Sequence, residues 1–412
     1  MTAVYLSSSM VQPASVFLAQ IGTVMDTPSL YRKGESIQSL LGRSPHGLRE
    51  LGGARTRIDT LERNIGNLGL PPTMLDVLTR ALRDLKVPEN ERGPETFYLR
   101  SHVFEEIERV DEKDLPRYLY HRYRYDVFPK TKELDAYPPC VQIEPTSICN
   151  FRCVFCFQTD PLLTLRKNGH AGQMSLDLFK TIVDQIEGHV DFVTMASRGE
   201  PLLTKNIDQM LAYASGKFVG LKMNTNATFL DETKAHAILQ AELNTLVFSA
   251  DAADAETYAQ LRVNGDFEKV MGNIKRFKEI KERDYPNSRL ITRVSGVAFD
   301  RERQDHKAIE TFWGDYVDQV AFVDYNPWEN AYESAPNGVD EACSDLWRRC
   351  FVWWDGKMNP CDVDYRSFLC PGTVENESLS DIWTGRGYST LRAKHLEVQR
   401  QSLTPCRGCV SV

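Results

Sequence analysis

The chain has 412 residues, 42% hydrophobic and 26% charged, an ordinary globular balance with room for two or three domains. Its formal net charge of −8 argues against a dedicated nucleic-acid binder, which would carry a basic face. No run approaches the roughly 18 uninterrupted apolar residues of a membrane span, and the opening MTAVYLSSSMVQPASVFLAQIG lacks the basic start of a signal peptide, so a cytoplasmic protein is expected.

Residues 1–134 are rich in Arg, Glu and Leu, with helical periodicity over Thr73–Leu85 behind the Pro71-Pro72 pair. They read as a mostly helical extension. Pro138 and Pro139 break any helix and mark a boundary. From there the pattern alternates. Apolar runs at 141–145, 190–196, 219–226, 243–250, 288–299 and 317–325 read as strands. Helical segments fall at 176–187, 207–214, 232–240, 255–262 and 267–283. Six strands alternating with helices predict an α/β fold, a partial (β/α)6 TIM-like barrel with chemistry at the C-terminal strand ends. The character changes again near 336: cysteines return at 343, 350, 361, 370, 406 and 409, and Gly356 with Pro360 suggests a hairpin. The expected domains are therefore 1–134, 135–335 and 336–412.

In a reducing cytosol, ten cysteines are more often ligands or catalytic groups than disulfides. Cys149, Cys153 and Cys156 follow the first strand in the spacing C-x3-C-x2-C. Three thiolates on one loop can hold a [4Fe–4S] cube and leave one iron open. A zinc site completed by a distant ligand is the alternative.

The run IEPTSICNFRCVFCF resembles the signature of the radical S-adenosylmethionine (SAM) superfamily, with Phe155 as the aromatic before the last cysteine. The resemblance covers roughly residues 137–412. It implies that Cys149, Cys153 and Cys156 hold a [4Fe–4S] cluster whose open iron binds SAM. It also implies cleavage of SAM to a 5′-deoxyadenosyl radical, with electrons from an external donor such as flavodoxin or ferredoxin. SRGEPLL resembles the family's GxGEP motif, with Ser197 where glycine is usual and with Gly199, Glu200 and Pro201 matching; this implies support of the SAM amino group. MNTNAT resembles the TNG-type strand end and contributes Asn226, with Ala227 for glycine. FSADA and the arginine after it resemble the S-x-D…R segment, so Ser249 would touch SAM and Arg262 its carboxylate. Ser295 and Gly296 are candidates for adenosine contacts.

Cys350 and Cys361 flank Gly356, and Cys406 and Cys409 close the chain. This segment resembles the SPASM/Twitch extension, which implies an auxiliary [4Fe–4S] cluster held by Cys350, Cys361, Cys406 and Cys409; a four-cysteine zinc site is the other reading of the spacing. Cys140 and Cys343 read as ordinary buried residues. Cys370 is a buried thiol, a ligand or a hydrogen-atom donor. The strand end FVDYNPWENAY offers Asp324, Tyr325 and Glu329 as substrate contacts.

An auxiliary cluster suits a substrate radical that must lose a second electron. The expected reaction is therefore dehydrogenation, and the resemblance to Twitch-type enzymes implies a small polar, carbohydrate- or aminocyclitol-like metabolite as its substrate. Cross-linking or epimerisation of a ribosomal peptide is the alternative, and a zinc-stabilised binding protein a remote one.

Overall fold

The structure, a computed structural model, describes residues 30–33, 37–40, 51–300, 302–326, 328 and 331–412. The opening 22 residues weighed above as a signal peptide, and Glu329, lie outside the described residues. Among the described residues, no helix is long and apolar enough to cross a membrane.

Twelve strands are described. In chain order they are β1 (Ile37–Leu40), β2 (Cys140–Ile143), β3 (Arg152–Cys153), β4 (Phe192–Met195), β5 (Gly220–Thr225), β6 (Thr245–Ser249), β7 (Arg262–Val263), β8 (Ile291–Ala298), β9 (Gln319–Asp324), β10 (Arg349–Val352), β11 (Lys357–Asn359) and β12 (Gly372–Thr373). Ten of them form one sheet in the order β1-β9-β8-β6-β5-β4-β2-β10-β11-β12. The stretch β2, β4, β5, β6, β8, β9 is parallel throughout. These are the six strands expected from the sequence; five are trimmed at both ends, and β2 starts one residue earlier and stops two sooner than expected.

The connecting helices start where a short polar side chain can accept from the first-turn backbone. Ser175, Asp231, Asp254 and Asp266 cap the helices Leu176–Ile186, Glu232–Gln240, Ala255–Leu261 and Phe267–Asp284 in this way. A further helix, His306–Gly314, capped by Asp305, joins β8 to β9. The sequence reading ran from strand to strand there without it. The outer faces of the strands (Val141, Ile143, Val193, Met195, Leu221, Met223, Leu246 and Val294) pack with Phe179, Ile182, Ile238 and Phe277 of these helices in one core. Full burial of each such side chain contributes about 1.5–3 kcal/mol.

Two features go beyond the expected outline. First, β10 pairs in parallel with β2, Cys140 opposite Arg349, so the C-terminal segment extends the barrel sheet. Its β10–β11 hairpin turns at Gly356, whose φ of 80° suits glycine. Second, the N-terminal extension is helical over Leu51–Asn64, Pro72–Asp84, Ser101–Arg109 and Leu115–Thr131, yet it also supplies β1, which pairs antiparallel with β9.

Candidate functional site

The loop after β2 is tied down along its length. Ser147 N donates to the Gly172 carbonyl at 3.1 Å, Met174 N to Pro145 O at 2.9 Å and Glu200 N to Ile148 O at 2.9 Å. Pairing of β3 with β7 sets Cys153 opposite Arg262. The three thiols of this loop act on one another: burial pushes Cys156 far above the usual thiol range, and Cys153 and Cys149 push it further. Cys149 is pushed up to about 12, by burial and then by the Glu200 carboxylate. Such thiols stay protonated alone and give up protons to a cationic core. Donors already face the sulfurs: Phe151 N and Asn226 Nδ2 at Cys149 (3.4 and 3.9 Å), and Arg262 Nη1 at Cys153 (3.7 Å). Hydrogen bonds of this kind set the potential of an iron–sulfur cluster. Among the described residues, no three His, Cys, Asp or Glu side chains are grouped as a single metal ion would need.

Gly199 follows β4 where the cysteine loop passes closest. A Cβ there would collide with the Thr146 carbonyl oxygen and lie 2.7 Å from that of Ile148. Glu200 is buried, and its carboxylate accepts from Thr225 Oγ1 at 2.6 Å, Asn226 N at 2.7 Å and Leu202 N at 3.1 Å. Burial raises its pKa, and these donors act against the rise. The carboxylate thus fastens the end of β5 to the motif turn, which Pro201 begins. Asn226 Nδ2 reaches Asn150 Oδ1 at 2.9 Å, back on the cysteine loop. The hydroxyl of Ser197, where the family motif has glycine, is buried without a partner.

Arg262 is buried against Asp251, Nε to Oδ2 at 2.5 Å, while Asp251 Oδ1 accepts from Val297 N at 2.6 Å. The aspartate of the S-x-D segment and the arginine that follows it therefore hold each other. Ser249 ends β6 half-buried, level with Ser295 on β8. Gly296 lies against Ala250 O and the Phe322 ring, where a Cβ would stand 2.9 and 2.7 Å away.

No motif singled out the buried pair Glu144–Arg198. Arg198 donates from Nε and Nη2 to the two Glu144 oxygens (2.7 and 2.5 Å) and from Nη1 to Tyr365 O at 2.8 Å, with Trp353 under the guanidinium. One ion pair thereby locks β2, the loop after β4 and the C-terminal segment together. The β9 end joins the same assembly: Trp328 Nε1 donates to Phe155 O at 2.8 Å, Tyr325 packs on Phe299 beside Phe155, and Asn326 reaches Ser411 at 2.9 Å. Asp324 closes β9 at the same rim.

The second cysteine set is divided between two surroundings. Cys350 lies fully buried in the barrel core, on β10 next to Val141. Its thiol is raised by burial and by Cys140. Cys361 is instead raised by burial, Cys406 and Cys343; Cys406 by burial, Cys409 and Cys343; and Cys343 by burial, with Cys409 among its neighbours. These electrostatic couplings tie Cys343 to Cys361, Cys406 and Cys409, and Cys361 and Cys409 share one apolar cluster with Val363 and Trp328. Cys343 and Cys350 both precede Gly356 in this segment; Cys350 is the ligand expected from the sequence and Cys343 the ordinary buried residue. Cys370 donates to Gly372 O at 3.2 Å.

Comparison with known proteins agrees with this architecture. Residues 143–292 match the radical SAM superfamily, and residues 343–410 match SPASM, an iron–sulfur cluster-binding domain. The mycofactocin maturase MftC of Mycolicibacterium smegmatis is 26% identical over 160 residues, 39% of each chain. The chain thus spans about two fifths of that relative's length. The S-adenosyl-L-methionine-dependent 2-deoxy-scyllo-inosamine dehydrogenase of Niallia circulans is 22% identical over 277 residues, 66% of this chain and 92% of that one. SuiB of Streptococcus suis, solved bound to the precursor peptide SuiA, superposes over 81% of this chain and 79% of its own, with a TM-score of 0.51 at 14% identity; this is a likeness of fold. The two matched domains call for a SAM-binding [4Fe–4S] cluster and auxiliary iron–sulfur binding. The chain thus carries a radical SAM domain over residues 143–292, with the barrel strands and the cysteine loop, and a SPASM iron–sulfur domain over residues 343–410.

Proposed function

We propose that this chain is a radical SAM oxidoreductase that dehydrogenates a small polar metabolite held inside the barrel. The observation that carries the proposal is that Trp328 bridges the two cysteine segments, packing in one cluster with Cys156 of the cysteine loop and in another with Cys361 and Cys409 of the C-terminal domain. Residues 135–335 would form the catalytic barrel and residues 336–412 the auxiliary domain. Cys149, Cys153 and Cys156 would hold the first cluster. Cys343, Cys361, Cys406 and Cys409 would hold the second, with Cys343 in the place expected for Cys350.

When bound, the first cluster and SAM supply a radical that removes one substrate hydrogen atom, and the second cluster supplies an acceptor for the electron left behind. With the loss of one proton the change is a two-electron oxidation. The chain's own residues hold the geometry. Glu200 fastens Thr225 and Asn226, Asp251 fastens Arg262 against Cys153, and Glu144 with Arg198 fastens the C-terminal domain across the rim. Gly199 permits the close approach of the two loops, and Phe155 packs under Arg262. Ser249, Asp324, Tyr325 and Cys370 are the remaining candidates for ligand contacts. An external one-electron donor of the flavodoxin or ferredoxin kind would start each turnover, in a reducing compartment.

A second reading, modification of a peptide, is favoured by the likeness to the mycofactocin maturase and to SuiB. The closed lower end of the barrel, described below, suits a small molecule better.

The test is anaerobic incubation with SAM and reductant. Formation of 5′-deoxyadenosine and a product two hydrogens lighter than the substrate support the reading. A colourless zinc protein, or a product of unchanged mass, would overturn it.

A further inference from the structure

A second polar site lies at the opposite end of the barrel. On β2, β4, β5 and β8 the residues facing the helices are buried and apolar. Between them Gln142, Thr194, Lys222, Asn224, Arg293 and Ser295 alternate and remain half-buried. The outer face of this parallel sheet is covered by helices, so the second set lines a lumen. Lys222 is the third residue of β5 and Arg293 the third of β8, both near the N-terminal strand ends. Lys222 interacts electrostatically with Arg293, Glu106, Cys140 and Arg349. These stand on three other strands and a helix, so they meet across the lumen.

The helix Ser101–Arg109 closes this end. Glu105 accepts from Gln319 Nε2 at 2.6 Å, and Arg109 reaches Asp318 at 3.3 Å and donates to Leu290 O at 3.4 Å. Glu106 accepts from Tyr118 OH at 2.6 Å and faces Arg293 at 3.5 Å. The extension thereby becomes the floor of the chamber.

The charges on this floor are unevenly matched. Arg349 is held by Asp345 at 3.0 Å. Arg293 donates from Nε to Gln319 Oε1 at 2.7 Å, but its buried Nη2 makes no hydrogen bond. Lys222 makes neither a hydrogen bond nor an ion pair among the described residues, and burial followed by Arg293 lowers its pKa to about 8. The buried Oδ1 of Asn224 is also without a hydrogen-bond partner. Two cations thus face one carboxylate, Glu106, which is shared with Tyr118 and His102. An unmatched cation in a closed interior is costly, and such groups mark functional sites.

We propose that Lys222 and Arg293 form an anion-binding floor that takes a carboxylate or phosphate group of the substrate; this rests on the lumen being the substrate chamber. Asn226, beside the cysteine loop and just past the end of β5, is four residues from Lys222, about 13 Å at strand rise. A small extended metabolite would span that distance, its reacting end under the cysteine loop and its anionic end on the floor. An aminocyclitol, cationic at neutral pH, would meet two like charges there. An acidic or phosphorylated sugar-like metabolite would not.

The test is thermal melting of the anaerobically reconstituted full-length protein with sodium phosphate or sodium malonate, against sodium chloride of equal ionic strength. The expected result is a saturable stabilisation by phosphate or malonate that chloride does not give. A phosphate-only response assigns a phosphoryl group, and a malonate-only response a carboxylate. Lys222→Met should weaken the apparent affinity tenfold or more, and Glu106→Gln, which removes the competing acid, should strengthen it. No saturable response in the wild type, or a Lys222→Met protein that responds like it, overturns the proposal. Formation of 5′-deoxyadenosine is read separately. An enzyme that cleaves SAM without an anion response loses only the floor, whereas anion binding without SAM cleavage removes the oxidoreductase reading instead.

Discussion

The two ends of the barrel use charge in opposite ways. At the rim, the ionic side chains named here are largely held by the protein itself: Glu144 by Arg198, Asp251 by Arg262, Glu200 by Thr225 and two backbone amides. At the floor, Lys222 has no hydrogen bond or ion pair among the described residues and feels only the field of its neighbours. A charge with its partner in place positions loops. A charge without one is available to a ligand. The contrast separates two kinds of residue that look alike in sequence, and each half of it can be broken.

The largest effect is expected at the cysteine loop. Replacing Cys149, Cys153 and Cys156 together with Ala should halve the iron, from about eight to about four atoms per chain for two cubane clusters, and bring 5′-deoxyadenosine below detection. Iron analysis and chromatography of the reaction read both. Persistent deoxyadenosine would refute the assignment of this loop.

Next comes the choice between two neighbouring cysteines. Cys343→Ala should lose about four irons and the auxiliary signal in electron paramagnetic resonance. Cys350→Ala, a small substitution in the core beside Cys140, should keep both. The reverse pattern would restore Cys350 to the ligand set.

At the rim, Glu144→Gln leaves Arg198 buried without its carboxylate. Breaking a buried pair from one side costs about 3–5 kcal/mol, seen as a lower midpoint in denaturant. The double variant Glu144→Gln with Arg198→Met should recover part of the loss, since the stranded charge is gone. Equal melting of all the variants would mean that the pair holds nothing.

The smallest effect concerns pH at the floor. His102, on the closing helix, has its pKa lowered from 6.5 to about 4, chiefly by burial. The unfolded chain therefore binds the proton first, and stability present above pH 6.5 is lost as pH falls towards 4. Between pH 7 and pH 5 the loss is about 2 kcal/mol, and His102→Gln should flatten that slope in denaturant titrations.

The six parallel strands were legible because each is a short apolar run bounded by helical periods, a pattern local to a few residues. The helix His306–Gly314 was not, although its Asp305 cap is in plain view. The first cysteine triplet was legible because its spacing and the neighbouring Gly199-Glu200-Pro201 lie close in the chain. The second set was only half legible. Cys343 and Cys350 both stand before Gly356 in this segment, and only the pairing of β10 with β2 carries Cys350 into the core.

Sequence by itself therefore determined the fold class and the cysteine loop with its motif order, since these are written in local period and spacing. Tertiary structure alone decided that Cys350 is buried in the core, that Arg262 is held by Asp251, and that the N-terminal helix Ser101–Arg109 closes the lumen beneath Lys222 and Arg293. Each of those facts joins residues far apart in the chain, and only the register of the strands and the packing of the helices bring such residues together.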